Sequence, residues 1–225
     1  NDPGMTRQWA LKNTGRNSGG LFSRGKKGVD IKAVKAWKIN KGSHDIKIAV
    51  IDTGVDYLHE DLKGNILINE EEKNGTEGVD DDGNGYVDDV HGYDFYDYNS
   101  DPMDGNGHGT HCGGTIGGVG NNGVGVAGVN WRCRLVAAQF LSAGGSGSID
   151  GAIDAVEYCA INGFQVSNNS WGGGGFSQAL FDVIQTAGDD FGHIFVAAAG
   201  NGGSYGASYP GALTCDNVIC VAATD

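Results

Sequence analysis

Ile48-Ala49-Val50-Ile51-Asp52-Thr53-Gly54 is a run of apolar, mostly β-branched residues that stops abruptly on a carboxylate and a glycine turn. A short unbroken apolar run of this kind fits a strand buried on both faces, as in a parallel sheet covered by helices. The carboxyl end of such a strand is where open α/β sheets collect ligands and reactive groups, and Asp52 stands at that end. A carboxylate there can accept a hydrogen bond from an imidazole, fix its tautomer and stabilise the imidazolium. Taken alone, Asp-Thr-Gly reads more plainly as a turn or helix cap.

Downstream, Gly105-Asn106-Gly107-His108-Gly109-Thr110-His111 surrounds a histidine with glycines. Such crowding implies a sharp bend or a close backbone approach just before a helix. The expected helix, Gly109–Val119, carries His111, Cys112 and Ile116 among small residues. A histidine at its start can act as a general base, because imidazole titrates near neutrality. His108 and His111, three apart, could instead share a metal, but no Glu completes an H-E-x-x-H pattern.

Outside these two stretches the chain alternates. Strands are expected at Lys47–Ile51, Arg134–Phe140, Gln165–Ser170, His193–Ala198 and Val218–Ala222. Helices are expected at Asp30–Lys38, Gly109–Val119, Ser148–Ile161 and Ser177–Asp190. That spacing predicts an α/β fold, a parallel sheet with helices on both faces. A chain of 225 residues fits one domain, and its 41 glycines cluster in turns without a collagen period. No apolar stretch approaches the roughly eighteen residues needed to span a membrane. No charged-then-apolar leader opens the sequence, so a signal or pro-segment is expected to have been removed or to lie outside it.

Four stretches, in order, resemble the subtilisin-like serine proteases, with features of the thermitase and proteinase K branches. They are Ala49-Val50-Ile51-Asp52-Thr53-Gly54, His108-Gly109-Thr110-His111-Cys112, Asn168-Asn169-Ser170-Trp171-Gly172-Gly173 and Val196-Ala197-Ala198-Ala199-Gly200-Asn201. The resemblance implies a three-layer α/β/α catalytic domain that hydrolyses peptide bonds through an acyl-enzyme. In it His108 is the general base, Asp52 its orienting partner and Asn201 the oxyanion-hole donor. It also implies a nucleophilic serine in a Gly-Thr-Ser-Met-Ala context, which the sequence lacks. Residues 1–225 are therefore expected to form the amino-terminal part of such a domain. Ser204, in Gly202-Gly203-Ser204-Tyr205-Gly206, fits G-x-S-x-G without the strand-turn-helix setting that motif requires, and reads as a loop residue.

By the same resemblance, a peptide substrate lies along Ala143-Gly144-Gly145-Ser146-Gly147 and Trp171-Gly172-Gly173-Gly174, pairing as an added strand. Ser170–Gly173 and Ala197–Gly200, including Ala198 and Gly200, would wall the pocket for the residue before the scissile bond. Neither wall carries a carboxylate, which argues against a strict preference for basic residues. An inhibitory prodomain and export from the cell also follow from the family.

The net charge of −13 argues against nucleic-acid binding, which needs a basic face. Much of the acidity is local. Asp80-Asp81-Asp82-Gly83-Asn84-Gly85-Tyr86-Val87-Asp88-Asp89 opens like an EF-hand loop, with oxygen ligands at Asp80, Asp82 and Asn84 and a glycine for the turn. The twelfth position is His91 rather than Glu, so Asp88 or Asp89 would have to close the site. A solvated acidic turn is the plainer reading; repulsion among so many carboxylates favours Ca²⁺. The resemblance implies a second calcium site at Asp2 or Gln8, Asp61, Asn122 and the carbonyls of Val119, Val124 and Val126.

Five cysteines leave at least one unpaired. Cys112 resembles the free cysteine of the family's thermitase and proteinase K branches, while Cys215–Cys220 and Cys133–Cys159 are possible pairs. Asn74-Gly75-Thr76 and Asn168-Asn169-Ser170 are glycosylation sequons, the second on an expected buried strand. A non-catalytic calcium-binding module of the same fold is the competing reading. A nucleotide-binding domain is more distant, because no G-x-G-x-x-G follows the first strand.

Overall fold

A computed structural model describes residues 2–16, 25–203 and 206–223. Six strands form one sheet: β1 (Gly42–Asp52), β2 (Gly92–Asp94), β3 (Arg132–Gln139), β4 (Val166–Asn169), β5 (Ile194–Ala198) and β6 (Val218–Val221). Their order across the sheet is β2-β3-β1-β4-β5-β6, and every pairing is parallel. The helices are α1 (Ala33–Ala36), α2 (Glu70–Asn74), α3 (His108–Gly117), α4 (Ile149–Ile161) and α5 (Gln178–Phe191), preceded by a 3₁₀ turn at Pro3–Thr6.

The unbroken apolar run of β1 is explained by the two cores it separates. Ala49 and Ile51 pack with Val136, Ala138, Ala155, Val156 and Ile184, beneath α4 and α5. Ile48 and Val50 pack with Leu135, Ala137, Val55 and Leu62, against Cys112 and Ile116 of α3. Successive strand residues point to opposite faces, so both faces must be apolar. The chain passes from β3 over β1 to β4, placing α3 on one face and α4 and α5 on the other. β1 is thus the switch point of the sheet, and its carboxyl end opens a crevice.

Local signals set the longer helices. Ser148 caps α4 by accepting the Gly151 N–H, and Ser177 caps α5 by accepting the Leu180 N–H. Gly192, left-handed at φ 69°, stops α5. The expected helix at Asp30–Lys38 shrinks to Ala33–Ala36, because Lys32 is left-handed and the Asp30 carboxylate binds its N–H. β2 and α2 fall in the acidic stretch and were not expected. β2 has only three residues, too few for a period, and is defined by pairing with β3.

The possible disulfides are not formed: all five cysteines are free. Cys133 belongs to the α3-side core and Cys159 to the α4-side core, so the sheet stands between them. Cys215 is buried with its thiol toward the Phe181 carbonyl (3.7 Å), whereas Cys220 is exposed.

Candidate active site

Asp52 ends β1 with no solvent exposure. Its Oδ1 accepts the Thr53 N–H (2.8 Å) and lies 2.7 Å from His108 Nδ1. Its Oδ2 is buried with no hydrogen-bond partner. His108 opens α3, with its side chain half exposed. The bend before it is Gly107, at φ 100°. Gly109 must lack a side chain, because a Cβ there would collide with the Gly54 carbonyl. The helix start is therefore pressed directly onto the Asp52-Thr53-Gly54 turn.

His108 and Asn201 line one cavity of about 610 Å³ together with Gly145, Ser146, Gly147, Ser170, Trp171, Gly172 and Gly173. The structure thus gathers eight expected site residues around His108. Ala198 ends β5, and neither it nor Gly200 contributes to the lining. Gly200 has φ 105° and its backbone faces Ser208. Residues 142–146 form a turn closed by Ser142 N–H to Ser146 O (2.9 Å), so this rim is not a strand in itself. Ser204 lies outside the described residues.

Phe140, Leu141 and Ile149 give the cavity an apolar wall that the sequence reading missed. Phe140 packs edge-on to Trp171, 4.7 Å between ring centres. The available signal was the aromatic residue following β3. Asn106 was also missed: its Nδ2 donates to the Ala143 carbonyl (2.8 Å) while its Oδ1 accepts the His108 N–H. Nothing in the local pattern distinguishes that role from an ordinary turn.

Cys112 offers its sulfur near Asp52 and His108. Burial pushes its thiol up, which disfavours the thiolate that metal binding requires. His111 joins no metal-ligand group among the described residues, so the His108/His111 pairing has no geometric support.

In the acidic stretch, Glu72, Asp80 and Asp82 bring carboxylate oxygens within 4.8 Å of one another. Glu72, from α2, was not among the expected ligands. It is buried and accepts the N–H groups of Asp81, Asp82 and Asp88. Asn84 donates to Asp82 and Asp89. Asp88 accepts the Gly78 N–H. Asp89 accepts from Tyr158, Asn84 and Asn69, and burial pushes its carboxyl up to about 6 against those bonds. Among the described residues no Lys or Arg forms an ion pair with this group. An all-oxygen, uncompensated donor set suits a hard divalent cation.

Asp2 and Asp61, expected at the second site, both reach the loop at 119–126. Asp2 accepts the Asn121 and Gly123 N–H groups, and Asp61 accepts Asn122 Nδ2 and the Val126 N–H. Asn122 accepts the Val124 N–H, and the Val119 N–H binds the Asp61 carbonyl. Gln8 pairs instead with the Ala127 backbone. Asp2 and Asp61 are both buried.

Residues 43–225 match the subtilase family model. Subtilisin-like protease 1 of Plasmodium berghei is 37% identical over 170 residues, covering 76% of this chain and 28% of that protein. Thermitase of Thermoactinomyces vulgaris is 36% identical over 195 residues, covering 87% of this chain and 60% of that protein. A crystal structure of a cold adapted subtilisin-like serine proteinase superposes with a TM-score of 0.54 at 36% identity, covering 72% of this chain and 50% of that one. The chain spans less than two thirds of the length of each of these relatives.

Proposed function

Because the chain belongs to the subtilase family, we propose that it is the amino-terminal part of the catalytic domain of a serine endopeptidase. The observation that carries this reading is the 2.7 Å contact between buried Asp52 and His108, a ring that lines the same cavity as Asn201. His108 takes the proton of an attacking serine and returns it to the leaving amine. Asp52 holds the ring tautomer and offsets the imidazolium charge. The Asn201 amide donates to the oxyanion of the tetrahedral intermediate. Among the described residues no serine hydroxyl bonds to His108, and we assign the nucleophile to a serine beyond residue 225.

A peptide would lie between Gly145–Gly147 and Ser170–Gly173, where glycines permit close backbone approach. Phe140, Leu141, Ile149 and Trp171 favour apolar side chains there. An inhibitory prodomain would occupy the same cleft, and export rests on the family's habit. Glu72, Asp80 and Asp82, with Asn84, would hold one Ca²⁺; Asp2, Asp61 and Asn122 would hold another. A bound ion supplies charge neutralisation that cross-links loops.

The test is covalent labelling with a serine-directed fluorophosphonate. The full-length protein should label at a serine beyond residue 225, and the 225-residue chain should not label. Labelling at Ser204, or peptide hydrolysis that survives His108→Ala, overturns the assignment of these residues, whereas a full-length protein that neither labels nor cleaves peptide leaves a non-catalytic calcium-binding module as the better account.

A further inference from the structure

Asp104 sits four residues before His108, outside the lining of the cavity. One of its oxygens accepts from Thr53 Oγ1 (2.9 Å) and from the N–H groups of Asn106 and Gly107 (2.8 Å each). The other accepts from the N–H (2.9 Å) and Oγ1 (2.6 Å) of Thr110. Both hydroxyls pass the connection on. Thr53 Oγ1 accepts the Gly109 N–H (3.0 Å), and Thr110 Oγ1 accepts the Asp56 N–H (2.9 Å). A single carboxylate therefore joins the turn that follows Asp52 to the first turn of α3.

That joint acts beside the close packing of Gly109 on the Gly54 carbonyl, where the same turn meets the same helix start. Asp52 and His108 share one hydrogen bond, and the His108 side chain is half exposed. Gly107, at the N-cap of α3, has no side chain to cap the helix; Asp104 supplies that function from outside, in the favourable field of the helix start. Burial alone would raise its carboxyl, but the bonds from Thr110, Gly107 and Asn106 prevail and hold it below the usual range. An anion at this point is thus the resident state.

We propose that Asp104 is a positioning residue whose carboxylate locks the Asp52 turn against the start of α3 and so sets the Asp52–His108 alignment. The inference rests on the protease reading above and deepens it. An amide at this position keeps the shape but has an acceptor on one side only. Its NH₂ would face either the Thr110 donors or those of Thr53, Asn106 and Gly107, forcing the joint open.

In the full-length protein, Asp104→Asn should lower kcat on the order of 100-fold with KM little changed, as expected for misalignment rather than lost binding. The low-field proton resonance of the His108–Asp52 hydrogen bond should move or broaden. Thr53→Val should act in the same direction, less than additively with Asp104→Asn, and Thr53→Ser should recover most of its loss. Ser177→Ala, which removes the cap of α5 on the opposite face of the sheet from α3, calibrates a pure stability loss: Tm falls while the resonance stays. If Asp104→Asn lowers only Tm, with kcat, pH–rate profile and resonance as in the wild type, the proposal is overturned. Should that variant not fold, Thr53→Val and Thr110→Val carry the same readouts, and wild-type values in both overturn it. A wild type that cleaves no peptide sinks the protease reading instead. The resonance then decides alone: displaced, it supports the role of Asp104; unmoved, it refutes it.

Discussion

Removing the imidazole with His108→Ala should abolish peptide hydrolysis in the full-length protein while leaving Tm close to wild type, since a half-exposed ring contributes little buried area. Asp52→Asn should lower kcat by a factor on the order of 10⁴, because the amide favours the wrong tautomer; related serine proteases lose about this much. Asn201→Ala should cost roughly 10²–10³ in kcat with KM little changed, the value measured for this type of donor. Steady-state kinetics on one chromogenic peptide would check all three, and near-normal turnover in any variant removes that residue from the mechanism. Of these three, His108 stands out by its own glycine-bounded context, whereas Asp52 and Asn201, which alone read as turn or cap residues, were picked out through four motifs occurring in order. Asn106 and Asp104 were not. Their work is done on backbone N–H and carbonyl groups, which a sequence pattern does not display.

At the level of elements, the long helices and central strands were legible because periodicity, caps and terminating glycines agree with packing. β2 and α2 were not, since each is too short to show a period and is defined by its neighbours. Gly192 leads directly into a more hidden device, His193, which is buried at the start of β5. One ring nitrogen meets the Phe164 carbonyl (2.6 Å) and the other the Ser167 hydroxyl (2.8 Å). The ring thus ties the loop after α4 to β4 and β5, and burial lowers its proton affinity against the pull of the Phe164 carbonyl. A histidine held neutral in the fold but free to charge when unfolded stabilises above its unfolded value of about 6.5 and loses that contribution as pH falls. Stability should therefore decline below pH ~6.5 more steeply in the wild type than in His193→Gln, which cannot titrate. The variant should also be less stable at pH 8, by about 1–3 kcal/mol for imperfectly satisfied partners. Parallel slopes for the two proteins in urea titrations at pH 5, 6 and 8 would rule this device out.

Across the whole molecule, the charge of −13 is unevenly spread, and its distribution makes the last prediction. Glu72, Asp80 and Asp82 crowd into one cluster, and Asp2 and Asp61 tie the amino-terminal turn to the loop at 119–126. Composition made the first cluster visible, but not the carboxylate from α2, because Glu72 reaches the cluster only through the folding of a helix the sequence did not announce. Without a cation these carboxylates repel one another and cost stability; an ion bound only by the native state stabilises by mass action, about 2.7 kcal/mol at a hundredfold excess over Kd. Adding Ca²⁺ to metal-free full-length protein should raise Tm by several degrees, and chelation should reverse the gain. Glu72→Gln combined with Asp82→Asn should remove part of the calcium-dependent gain. Asp61→Asn should remove a separate part, because the two clusters share no residue and their effects should add. Calorimetry with and without calcium separates the cases. An unchanged Tm in the wild type would show that both clusters are solvated acidic loops, and an effect lost entirely in one variant would show that only that cluster binds.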